Sequence, residues 1–185
     1  MCERRSPMRA KLLLILFAGA AFGAGLWGFR YVSQGTLTVP APAAAGTLSD
    51  IAFPDVTGKM RSLSEWSGKI LIVNFWATWC PPCKEEMPEF DRLQQEFGSR
   101  GIQFLGVALE DGDAVRAYLQ HKPVGYPILI GEAGGTEWAE TLGNTLQVLP
   151  FTVIFDGAGR VVQTKAGPYT RSELTELFGR LLGRN

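Results

Sequence analysis

Asn74-Phe75-Trp76-Ala77-Thr78-Trp79-Cys80-Pro81-Pro82-Cys83-Lys84 places a Cys-x-x-Cys pair where an apolar run, Ile70 to Trp76, gives way to a helical pattern. This is the signature of a redox dithiol at a strand-to-helix junction. A helix N-terminus offers free N–H groups and the positive end of the helix dipole, and both favour a thiolate over a thiol. The prolines set how strongly. Pro81 biases Cys80 toward the extended backbone that an N-cap needs. With Cys80 as the cap, Pro81 and Pro82 fill the first two helical positions and have no N–H to give. The cap sulfur is left with one local donor, the N–H of Cys83. The Cys80 thiol is therefore expected to be acidified, though not extremely, which suits a reductant better than a strong oxidant.

Outward from this stretch the chain reads as βαβα, an irregular segment, then ββα. The helix from Cys80 should run to about Phe97, with Met87, Phe90, Leu93 and Phe97 on its buried face, Gly98 as its stop and Pro88 as a kink. Ile70 to Trp76 and Ile102 to Leu109 read as buried central strands. Asp111 to His121 reads as a helix, Pro127 to Ile130 as a short strand, and the surroundings of Trp138 as a short helix. Phe151 to Phe155 and Val161 to Thr164 flank the turn Asp156-Gly157-Ala158-Gly159, a hairpin signal. Ser62-x-x-Glu65 and Thr170-x-x-Glu173 have the capping-box pattern, the second opening a final amphipathic helix through Leu174, Leu177, Phe178 and Leu181.

The chain has 185 residues and no net charge, but its charges are unevenly placed. Residues 1–30 hold Arg4, Arg5, Arg9, Lys11 and Arg30 against Glu3, leaving 13 basic and 17 acidic residues in the remainder. No basic patch points to nucleic acid. Leu12 to Phe29 is an uncharged apolar run of 18 residues, near the lower limit for a membrane span. Its positive N-terminal flank implies a cytoplasmic N-terminus (1–11), an anchor (12–29) and an exported remainder. A cleaved signal peptide is the competing reading; Ala18-Gly19-Ala20 would leave only a short apolar core before the cut. Residues 30–47 contain Pro40-Ala41-Pro42-Ala43-Ala44-Ala45-Gly46 and read as a tether. Residues 48–185 are then the folded domain, in the periplasm and held to the inner membrane by a single pass.

Residues from about 50 to 182 resemble the membrane-anchored, thioredoxin-like thiol–disulfide oxidoreductases of the TlpA/ResA type. The matching features are Gly68-Lys69, the block from Asn74 to Cys83, Glu86 and Pro88, Leu149-Pro150 with Thr152, and the Asp156-Gly157 turn. The resemblance implies an α/β thioredoxin fold, a central mixed sheet flanked by helices. It implies that Cys80 is the nucleophile, that Cys83 is the resolving cysteine, and that Pro150 is a cis-proline facing them. Trp79, Pro81, Pro82, Leu149 and Pro150 are the expected substrate-binding residues. Thioredoxin proper has a buried Asp where Asn74 stands; membrane-anchored relatives carry instead a Glu at the end of the next strand. Glu110 matches that position, with proton transfer to and from Cys83 as its implied role. Phe151 stands where Thr is usual, a departure that bears on substrate preference.

No metal or cofactor is expected. The implied partners are disulfides and thiols of exported proteins, including cytochrome c or copper-site maturation substrates, and an inner-membrane thiol donor of electrons. Alternatives are a disulfide oxidase or isomerase running the same dithiol in reverse, and a Cu(I)-binding assembly module using the soft thiolates. A peroxiredoxin is disfavoured because the Pro-x-x-x-Thr-x-x-Cys context is missing. A zinc site lacks ligands, since only Cys2 and His121 remain as typical partners. Trp76 is expected in the core, Trp79 packed over the dithiol, His121 on the surface, and Lys84, Glu85 and Glu86 in a solvated first turn.

Overall fold

The structure, a computed structural model, describes residues 48–183, so the readings of 1–11, 12–29 and 30–47 lie outside the described residues. Among the described residues no helix is long and apolar enough to cross a membrane.

The central strands form where the apolar runs are continuous. Strand β3 (Ile70–Trp76) and β4 (Ile102–Ala108) are buried at every position, as strands covered on both faces must be. Upstream lies a small hairpin, β1 (Ala52–Pro54) and β2 (Met60–Ser62), not anticipated from the sequence because three-residue strands carry no readable alternation. Downstream come β5 (Ile128–Ile130), β6 (Phe151–Phe155) and β7 (Val161–Ala166). The five-stranded sheet has the order β5-β4-β3-β6-β7. The strands β3, β4 and β5 run parallel; β6 is antiparallel to β3, and β7 to β6. This is the mixed sheet of a thioredoxin-like α/β fold. Gly106 is demanded by its place on β4. A Cβ there would stand 2.5 Å from Ile128 Cδ1 and 3.0 Å from Trp76 Nε1.

The helices are α1 (Pro81–Phe97), α2 (Gly112–His121), α3 (Gly135–Thr141) and α4 (Arg171–Leu182). Helix α1 continues through Pro88. Both anticipated capping boxes form, at Ser62/Glu65 before a 3-10 turn and at Thr170/Glu173 before α4. Alternate residues of β3 feed two cores. Ile70, Ile72 and Trp76 pack with Met87, Phe90, Leu93 and Phe97 of α1 and with Leu174 and Phe178 of α4. Leu71, Val73 and Phe75 pack with Trp138 of α3 and with Phe53, Leu63 and Trp66. Aromatic pairs tie the layers together: Phe97 and Phe178 meet at 5.3 Å on one side, Phe75 and Trp138 at 5.1 Å on the other. Each such buried side chain contributes roughly 1.5–3 kcal/mol of transfer free energy.

Candidate active site

Parallel β3 and β4 end at the same edge of the sheet, and antiparallel β6 begins there, with Phe151 paired to Phe75. The loop leaving β3 carries Ala77 to Cys80, and Leu149-Pro150 enters β6 beside it. The Leu149–Pro150 bond is cis.

Cys80 is the N-cap of α1, with φ −94° and ψ 105°. Its sulfur accepts a 3.3 Å hydrogen bond from the N–H of Cys83, with Pro81 and Pro82 at the two positions between. The single local donor read from the sequence is the one observed. The two cysteines form a disulfide, S–S 2.08 Å. Cys80 keeps 4% of its surface open and Cys83 none, so the Cys80 sulfur is the one a partner can reach.

Glu110 lies at the end of β4, where the sequence put it, but its contacts are with the loop before Cys80. One carboxylate oxygen accepts from the Thr78 N–H and the other from the Thr78 hydroxyl, the latter at 2.8 Å. Among the hydrogen bonds of the described residues, none joins Glu110 to Cys83. Trp76 is buried as expected. Trp79 is 65% exposed, so its indole presents an apolar surface to solvent on the loop before Cys80.

Glu86 is the larger correction. Its neighbours Lys84 and Glu85 suggest a solvated turn, yet Glu86 is buried beneath the site. Its Oε1 accepts from the Asn74 side-chain amide at 2.8 Å and its Oε2 from the Tyr169 N–H at 3.0 Å. Asn74 Nδ2 donates in addition to Thr152 Oγ1 at 3.0 Å. Glu86 follows Cys83 by three residues on α1, so the two share a helix face. Burial pushes its carboxyl up to about 7, against the pull of the Tyr169 and Asn74 donors and of Lys165. A carboxyl that titrates near neutrality beside a thiol pair is suited to proton exchange. The sequence carried two signals: Glu86 is among the residues that match the family, and it lies one helical turn beyond Cys83, on the stripe of Cys83, Met87 and Phe90.

A disulfide-forming Cys-x-x-Cys capping a helix, opposite a cis X-Pro, on a thioredoxin-like sheet defines the class: the protein is a thiol–disulfide oxidoreductase. The chain belongs to the Redoxin family, whose model matches residues 39–178. It is similar to the thiol-disulfide oxidoreductase ResA of Geobacillus kaustophilus, 28% identical over 173 residues covering 93% of each chain. It is also similar to the thioredoxin-like protein YneN of Bacillus subtilis, 30% identical over 131 residues, 69% of this chain and 74% of that one. Among solved structures, a thiol:disulfide interchange protein of the thioredoxin family from Chlorobium tepidum superposes with a TM-score of 0.62. It is 29% identical, covering 76% of this chain and all of the other.

Proposed function

We propose that this enzyme is a periplasmic reductase of disulfides in exported proteins, tethered to the inner membrane by residues 12–29. The supporting observation is the Cys80 cap. A helix N-terminus stabilises its thiolate, while prolines at the next two positions withhold a second donor. Modest stabilisation of the reduced form keeps the couple reducing. The apolar run after a basic flank supports export of the domain.

In the reductive half-reaction the Cys80 thiolate attacks one sulfur of a substrate disulfide. A mixed disulfide forms and the other substrate sulfur leaves as thiolate. The Cys83 thiolate then attacks the Cys80 sulfur and releases the second substrate thiol. The substrate gains two electrons, and the Cys80–Cys83 disulfide is left for a thiol donor at the inner membrane to reduce. Cys83 must lose a proton for the second attack, and Glu86 is the group we assign to receive it. Glu110 holds the Thr78 loop that fixes the approach to Cys80. Trp79, Pro81, Pro82, Leu149 and Pro150 line the approach of the substrate.

Replacing Cys83 by Ala in the full chain removes the second step. Cys80 should then retain exported proteins as mixed disulfides, releasable by dithiothreitol and identifiable by mass. Capture of none would count against the reductase reading, and a wild-type dithiol found mainly oxidised in cells would favour the oxidase alternative.

A further inference from the structure

We propose that the loop from Asn144 to Val148 is an apolar docking element. In this view it selects polypeptide substrates with an apolar side chain beside the reactive cysteine. The inference rests on the reductase reading of the dithiol and adds a specificity determinant to it.

Leu146 is 83% exposed and Val148 39%; among the described residues Met60, Trp79 and Val162 are the other large apolar side chains left open, and none is as exposed as Leu146. A single exposed leucine is ordinary on a protein surface. What sets this one apart is how it is held. Asn144 at the loop base is 4% exposed. Its Oδ1 accepts from the Val148 N–H at 2.9 Å, and its Nδ2 donates to the Val148 carbonyl at 3.0 Å. Its backbone N–H is bonded to the Ala139 carbonyl at 2.9 Å, and its carbonyl receives the Gln147 N–H at 3.0 Å. Gln147 is held at φ 51°, and its side chain is tied to Glu140 Oε1 at 2.6 Å. Leu146 is thus presented on a loop fixed from both sides, in a left-handed turn that a non-glycine residue adopts only when its surroundings impose it. An apolar contact made by a pre-ordered loop loses little entropy on binding.

Its location identifies the occupant. The loop leads directly into Leu149-Pro150 and β6, and Phe151 pairs with Phe75, so it lies at the sheet edge from which the Cys80 loop emerges. Trp79, 65% exposed, stands on that neighbouring loop. Any polypeptide that brings a sulfur to Cys80 must lie across this edge. On the far side, beyond β4, the rim is polar, with Asp111 exposed and Asp113 paired to Arg116. An apolar residue of the substrate is therefore accommodated on the Leu146 side.

The test uses the full chain in its reduced form and two synthetic disulfide-bridged peptides. They differ only in a leucine or a serine next to the attacked cysteine. Wild type should favour the leucine peptide in kcat/KM. In Leu146→Ser that preference should fall roughly tenfold, mainly through KM, as expected for one lost apolar contact. Leu146→Met should retain it, and Met60→Ser, at an exposed site on β2, should leave it unchanged. Equal kcat/KM for the two peptides in wild type, or the same preference in Leu146→Ser, overturns the docking inference while the reductase reading stands. Failure of wild type to reduce either peptide overturns the reductase reading and the inference with it.

Discussion

The carboxylate of Glu86 accepts a 2.8 Å hydrogen bond from the side-chain amide of Asn74, joining the second turn of the dithiol helix to the central strand β3. Tyr169 closes the arrangement from the residue before α4's N-cap. Three distant segments thereby fix one buried acid on the face of α1 that carries Cys83.

That burial has a signed consequence for stability. The Glu86 carboxyl ordinarily titrates near 4.5 and is raised to about 7 in the fold. The folded state holds this proton more tightly than the unfolded chain. Its contribution is complete below the ordinary value and is lost as pH rises through the folded one. At about 1.4 kcal/mol per unit, the loss is about 3 kcal/mol across that window. Glu86→Gln cannot ionise, so urea midpoints of the oxidised variant should vary less between pH 5 and 8.5 than those of wild type. Parallel curves would remove Glu86 as the source.

The same substitution separates the two candidate proton carriers. With Glu86→Gln the rate of mixed-disulfide resolution should lose a limb of its pH profile near 7. With Glu110→Gln the profile should keep its shape while the rate falls several-fold, because that carboxylate holds the loop through Thr78. Thr78→Val removes only the hydroxyl bond and should cost about 1 kcal/mol of stability at most, with a smaller drop in rate. A change of profile shape in Glu110→Gln would return the proton role to Glu110.

Much of this was legible from local sequence because the governing physics is local. Caps at Ser62, Cys80 and Thr170, and the continuous apolar strands, are decided within a few residues. The bond from Cys83 to the Cys80 sulfur followed from two prolines. Glu86 stood out as a family match, but its burial was not legible because its partners lie at positions 74 and 169, and nothing beside it in the chain announces it. The β1–β2 hairpin escaped for a related reason: its three-residue strands are fixed by pairing with each other and by the bridge from Asp55 to Leu129. Leu146 has no mark in the sequence because only its exposure in the fold, beside a buried Asn144, distinguishes it from a core residue.

Pro82→Ala supplies a second N–H to the Cys80 cap, at a position from which an N-cap acceptor is normally served. The added charge-assisted bond should lower the thiol's pKa by about one unit and raise the reduction potential by about 30 mV. Alkylation rate against pH measures the first, and equilibration with a glutathione buffer the second. An unchanged potential would mean that the prolines do not set the redox poise.

Asn74→Asp tests the buried acid most severely. The Asn74 amide donates to Glu86 and to Thr152 Oγ1, and an ionised Asp donates to neither. It would also set a second carboxylate within hydrogen-bond distance of the first, where both cannot ionise without strong repulsion. One proton should therefore be held by the pair well above neutrality, and the two groups should titrate jointly. The variant is expected to be at least about 2 kcal/mol less stable than wild type at pH 8. At pH 5 the gap should narrow, since a protonated carboxyl can again donate across it. Combining Asn74→Asp with Glu86→Gln should recover part of the loss at pH 8, because the repulsion needs both acids. If the double variant is no more stable there than Asn74→Asp alone, like-charge repulsion is not what penalises the single change, and the lost donors alone account for it.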